Sequence, residues 1–186
     1  MTSPSVRQTL RDATQSQHNE IDQAASAMRL DTPEGYGWFL AAHAAVILPL
    51  EEQLERDGIA EHLPDWSRRA RRYVLLEDLS DLNLSFTTIA VPRFSDAASL
   101  WGAAYVLEGS RLGARVVLMR LAANAPSRFL RHGEGHRYWP EFLMMLEGEE
   151  SVRRAPALAI DAARAVFDLF ARAMAVNAPA GAVAAQ

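Results

Sequence analysis

Along most of the chain, apolar and small residues recur at three- and four-residue intervals. Leu10, Thr14, Gln17, His18, Ile21, Ala25 and Met28 form the first such stripe. A 3.6-residue repeat puts such positions on one face of an amphipathic helix, and a strand would need alternation instead. A second helix is marked by Thr32-Pro33-Glu34, a cap residue followed by proline at the first helical position. It runs through Trp38, Phe39, Leu40 and Val46 to Leu54 and stops near Gly58, with a kink expected at Pro49. Asp65 is placed to cap a third helix carrying Trp66, Tyr73, Leu75 and Leu79, and residues 83–94 read as an irregular connection around Pro92. Ser95 caps a long helix from Asp96 to about Ala123, and Gly133 and Gly135 mark a loop. A fifth helix spans about Tyr138–Gly148 and a sixth about Ser151–Val176. The fold class is therefore all-α, one multi-helix domain over residues 1–176, with 177–186 as a flexible Ala/Pro/Gly tail.

Composition narrows the chemistry. The chain contains no cysteine, and all 19 of its basic residues are arginine. That removes disulfides, zinc–cysteine sites, thiol nucleophiles and covalent haem attachment, and also lysine Schiff bases and Walker-type phosphate loops. A length of 186 residues with 49% hydrophobic content suffices for one sizeable core. A net charge of −4 argues against nucleic acid as a partner. The polar N-terminus lacks a secretory pattern, and the apolar run from Trp38 to Leu50 is broken by His43 and too short for a membrane span. A soluble, cytoplasmic protein is expected, and a monomer.

Two features could carry chemistry. His18 lies on the apolar stripe of the first helix, with Asp22 one turn later, close enough to fix the tautomer of the ring and leave the other nitrogen for a metal. Arg11 sits two turns earlier, about 10 Å along the axis at ~1.5 Å per residue. The alternative is a half-buried histidine paired with a carboxylate. The second feature is Glu108-Gly109-Ser110-Arg111-Leu112-Gly113-Ala114 inside the long helix. Each interior glycine costs roughly 1 kcal/mol against alanine, so two ask for a reason. Gly109 and Gly113, at i and i+4, bare one face, which Tyr105 continues. Close helix–helix packing would also explain them. A histidine on one helix opposite bare backbone on another could sandwich a planar macrocycle.

At these residues the chain resembles the haem oxygenases of the bacterial, biliverdin-producing type. The stretch from Arg11 to Asp22 looks like the family's proximal helix, with His18 at the ligating position. Residues Pro49 to Glu55 are similar to the acidic end of its second helix, and Tyr105 to Ala114 look like its distal helix. The resemblance implies that haem is both cofactor and substrate, cleaved with O2 and external electrons to biliverdin, CO and iron. A ferredoxin with its reductase, or ascorbate, would supply the electrons, so a redox partner protein is implied. His18 would bind the iron with Asp22 behind it. Gly109 and Gly113 would admit the ring, with Ser110 between them on the catalytic face. Arg11 and Tyr105 match residues that hold propionates. The chain departs from animal-type members, which carry a carboxylate at position 110, and from bacterial members in which asparagine usually follows the serine; here Arg111 stands there. A non-degrading haem carrier or sensor with the same fold is the alternative.

The other candidates read as structural. His43 is expected to be a satisfied core histidine, and His132 and His136 flank a glycine loop unsuited to a shared metal. Phe167, Phe170 and Met174 read as core, with Phe167 or Phe170 the residues that could reach a haem edge. Arg68, Arg69, Arg71 and Arg72 read as a solvated helix face, with docking of an acidic electron donor as its functional alternative. No convincing set of carboxylates and histidines for a di-iron site is found.

Overall fold

The computed structural model describes residues 4–178. Its helices, in chain order, are α1 (Val6–Ala27), α2 (Pro33–Arg56), α3 (Ile59–His62), α4 (Trp66–Arg69) and α5 (Arg72–Asp81). They continue with α6 (Ala97–Leu118), α7 (Arg128–Arg131), α8 (Tyr138–Gly148), α9 (Glu150–Arg154) and α10 (Pro156–Val176). No strand occurs among the described residues, so the all-α expectation holds. Residues 179–186 of the expected tail lie outside the described residues. Asn177, at its start, exchanges hydrogen bonds with the backbone of Thr87.

Local signals set the helix ends. The Ser5 side chain accepts the Gln8 N–H at the start of α1, and the Glu147 carboxylate of α8 accepts the N–H groups of Val6 and Arg7. Thr32 caps α2 through the Gly35 N–H, with Pro33 at the first position as expected. The helix passes through Pro49, which has no N–H for the carbonyl of Ala45. That carbonyl accepts instead from Ile89, 3.3 Å away in the irregular connection. The proline therefore ties the 83–94 segment down rather than ending the helix.

Three boundaries differ from expectation. The third helix is two, α4 and α5, broken at Ala70 and Arg71, and Asp65 makes no capping bond because its carboxylate accepts from Arg69 Nε. Asp96, rather than Ser95, caps α6, which ends at Leu118. The expected sixth helix breaks at Ala155, whose backbone (φ −132°, ψ 59°) leaves the helical region before Pro156 restarts it. Gly133 and Gly135 take positive φ in a loop, as expected.

The site is positioned by α10. Its buried Ala159, Ala163, Val166 and Phe170 line one stripe, and α6, α1 and α2 all pack on it. The helices α1 and α6 thus stand on a common support while scarcely touching one another. A cleft between them is the result. No helix of the described residues is long and apolar enough to cross a membrane.

Candidate functional site

The cleft holds a cavity of about 730 Å³, within the usual range for a small-molecule or cofactor site. Its α1 wall includes Arg11, His18, Ile21 and Asp22, and its α6 wall Tyr105, Gly109, Ser110 and Gly113. Every site residue singled out from the sequence thus lines one cavity. Phe39 and His43 of α2 and Phe167 and Phe170 of α10 close it.

His18 is exposed, and its Nδ1 lies 3.0 Å from an Asp22 carboxylate oxygen one turn on. With the Nδ1–H donating to that carboxylate, Nε2 keeps its lone pair free for a metal. The Phe167 ring meets the imidazole edge-on at 6.0 Å. Among the described residues no three His, Asp or Glu side chains gather as a closed metal site. A metal at His18 would have to bring most of its coordination sphere with it, as iron does inside a macrocycle.

The α6 glycines divide by what surrounds them. A Cβ on Gly102 would collide with the carbonyl oxygen of Ala159, so this glycine exists for helix packing. A Cβ on Gly109 would meet only the Trp139 ring at 3.6 Å, and one on Gly113 would meet nothing within 4 Å. Packing therefore does not require glycine at either position, since a Cβ would make only ordinary contact with Trp139 at Gly109 and none at Gly113. Arg7 and Arg11 stand near Tyr105, whose hydroxyl burial pushes to a higher pKa while those two cations pull it back. Arg7, Arg11 and Tyr105 thus cluster on one part of the slot, an arrangement that suits a flat amphiphile carrying carboxylates.

No family model matches the chain. A heme oxygenase of Xanthomonas campestris pv. campestris (strain 8004) is 32% identical over 151 residues, spanning 77% of this chain and 90% of that protein. The chain belongs to the haem oxygenase family. The fold agrees: the NO- and CO-bound heme oxygenase from Neisseria meningitidis superposes with a TM-score of 0.79 at 20% identity, covering 97% of this chain and 96% of that one.

The segment Glu108 to Gly113 of α6 in this haem oxygenase is organised by arginines. Arg111 does not enter the cavity lining. Its Nε donates to Glu108 Oε1 at 3.0 Å, its Nη1 to the His132 carbonyl, and its Nη2 to the Arg69 carbonyl. Arg69, fully buried, donates to Glu108 Oε2 at 2.7 Å. Ser110 does line the cavity, but its hydroxyl donates to the Leu107 carbonyl and accepts from Arg71 Nη2, both at 2.7 Å. The reading of Arg68, Arg69, Arg71 and Arg72 as a solvated face is overturned for three of the four. Arg69, Arg71 and Arg72 are buried, because Glu108, Ser110 and Leu107 of α6 and Glu51 and Glu55 of α2 supply their partners.

Four ionisable cavity residues were given no place in the site by the sequence: Arg7, His43, Arg71 and Arg120. Arg7 carried a signal, since it precedes Arg11 by one turn on the same face. His43 is satisfied as expected, with Nδ1 2.8 Å from the Phe39 carbonyl, yet it also lines the cavity. Burial among Phe39, Phe129 and Phe170 pushes its pKa down to about 4, and it is neutral near pH 7. Arg71 had no local signal, because it reaches the cavity only through the break between α4 and α5.

Proposed function

We propose that the cavity binds haem between α1 and α6 and that this haem oxygenase opens the ring to biliverdin, CO and iron. The observation that carries the proposal is the sharing of one cavity by His18 on one wall and the uncovered Gly109 and Gly113 on the other. His18 Nε2 holds the iron, and Asp22 keeps Nδ1 protonated and the imidazole oriented. Gly109 and Gly113 let the backbone of α6 approach the ring. Arg11, with Arg7 and Tyr105, takes the propionates. The bound haem supplies the redox and O2 chemistry, with electrons from an external donor such as a ferredoxin system or ascorbate.

The chain's part is placement and exclusion. Phe39, Phe167 and Phe170 supply apolar contact inside the slot, while the exposed His18 edge is open to an electron donor. Neutral His43 and the hydroxyl of Ser110 offer lone pairs to ordered water on the inner face. No carboxylate is required at position 110 for this arrangement. The protein is proposed to act as a soluble monomer with a separate redox partner.

Reconstitution with haemin tests the reading. Binding should give an imidazole-ligated Soret band that His18→Ala abolishes, and ascorbate or a ferredoxin system under air should replace it with biliverdin absorption. Tight binding without ring opening would instead identify a carrier or sensor. A normal Soret band in His18→Ala would refute the proximal assignment.

A further inference from the structure

Arg71 is a buried cation with donors to spare. The side chain lines the cavity although the residue is only 3% exposed. Its Nη2 uses both hydrogens on α6, one to the Leu107 carbonyl at 2.9 Å and one to Ser110 Oγ at 2.7 Å. The Phe129 ring covers the guanidinium at 4.9 Å. Among the described residues neither Nε nor Nη1 meets an acceptor. Burial lowers the pKa to about 9, with the neighbouring Arg111 charge adding to the effect, so the group is still charged near pH 7.

Its placement depends on Glu51. This α2 carboxylate, 1% exposed, accepts the backbone N–H of Arg71 at 2.9 and 3.0 Å and that of Arg72 at 2.9 Å. Arg71 precedes α5 and has no side-chain cap of its own, so Glu51 anchors the start of that helix from α2. The backbone of Arg71 is thus fixed to α2 and its guanidinium to α6.

Among the described residues the cavity is lined by one carboxylate, Asp22, which His18 engages. The inner face therefore carries a fixed positive charge, free N–H donors and no fixed anion. We propose that Arg71 is the hydrogen-bond donor for a small anionic or oxygen-bearing ligand bound on the haem face opposite His18, and that Glu51 is its positioning residue. This rests on the haem reading above. A hydrogen bond from a charged donor to such a ligand contributes about 1.5–3 kcal/mol, equivalent to roughly 10- to 150-fold in affinity.

The test uses the full chain reconstituted with ferric haem, with fluoride as the anion and imidazole as a neutral ligand that needs no such donor. Arg71→Met should weaken fluoride binding at least tenfold while changing imidazole binding far less. Arg71→Lys should recover part of the loss. Because Glu51 holds the backbone of Arg71 rather than its side chain, Arg71→Met keeps that anchor. Glu51→Gln, which retains an acceptor oxygen, should weaken fluoride less than Glu51→Ala, with unchanged His18-dependent ligation. In the ferrous CO complex, loss of the donor should raise the CO stretching frequency, a shift that a purely structural role would not produce.

Wild-type fluoride affinity and CO frequency in a folded, haem-loaded Arg71→Met variant would overturn the role of Arg71 and leave the haem reading standing. Failure of the wild-type chain to bind haemin through His18 would overturn both. If Arg71→Met does not fold, Ser110→Ala, which withdraws one guanidinium anchor, decides the matter. Unaltered fluoride affinity and CO frequency in that variant would also overturn the proposal.

Discussion

Gly102 of α6 lies so close to Ala159 of α10 that a Cβ on the glycine would overlap the alanine carbonyl oxygen. About three turns along the same helix, Gly113 has nothing within 4 Å of that position. One helix therefore uses glycine for two purposes, and substitution separates them. Gly102→Ala must push two buried backbones apart and should cost about 2 kcal/mol or more, read as a lowered urea midpoint of the apoprotein. Gly113→Ala meets no neighbour and removes a helix-weakening residue. It should raise apoprotein stability by up to about 1 kcal/mol while weakening haem binding. Equal destabilisation by the two substitutions would contradict the division.

Helix periodicity made most of this architecture readable, and the misses have physical causes. The α2 start at Thr32 and Pro33 follows from local chemistry. The break at Ala155 was also local, since Pro156 restricts the residue before it, but the apolar stripe runs on across it. The break at Ala70 and Arg71 was not local. It is stabilised by Glu51, about 20 residues earlier in the chain, and by Leu107 and Ser110, more than 30 residues later. For the same reason an arginine cluster that looks solvated in sequence is mostly buried in three dimensions. The cavity residues on α1 and the middle of α6 were legible because each set lies on a single helix face.

The pair of His18 and Asp22 should behave as a unit. Asp22→Ala leaves the ring nitrogen without its acceptor and frees the imidazole to rotate. If His18 ligates the iron as proposed, haem affinity should fall roughly 10- to 100-fold, the range for metal-ligating histidines that lose such a partner. Because both side chains are exposed, the apoprotein should unfold at a nearly unchanged temperature. Haemin titration alongside thermal unfolding checks both parts.

Acid should destabilise the apoprotein through His43 and His132. Burial holds both near a pKa of about 4 in the fold, with the Arg111 charge adding to the effect at His132, against an ordinary value of 6.5. As pH falls through 6.5, the unfolded chain takes up protons that the folded one refuses, so folding stability falls with pH until about 4. Glu51, its carboxyl pushed upward chiefly by burial, takes a proton more readily when folded and opposes the trend at the acid end. Urea midpoints should therefore drop between pH 7.5 and 5. His132→Asn, which keeps an acceptor for Arg111, should shrink the drop. A flat profile in the parent protein would rule out neutral burial of these rings.

Arg111 stands where the resemblance to bacterial haem oxygenases implies asparagine, and its bonds predict what that substitution would do. Glu108 is 1% exposed and pairs with Arg69 at 2.7 Å and with Arg111 at 2.9 Å. Arg111→Asn takes away one of two cations from a buried carboxylate and also the donors to the carbonyls of Arg69 and His132. The loss should be about 3 kcal/mol, within the range for breaking a buried ion pair, and denaturant unfolding of the apoprotein measures it. Glu108→Gln should cost a comparable amount by leaving Arg69 and Arg111 without an anion. The double variant should then cost less than the sum of the singles, because Arg111 and Glu108 share a partner network. Since Arg111 is not among the residues lining the cavity, His18-dependent haem ligation should survive in whatever fraction of Arg111→Asn remains folded. Strict additivity of the two substitutions would mean that Glu108 does not hold Arg111, and with it that this segment of α6 is fixed in some other way.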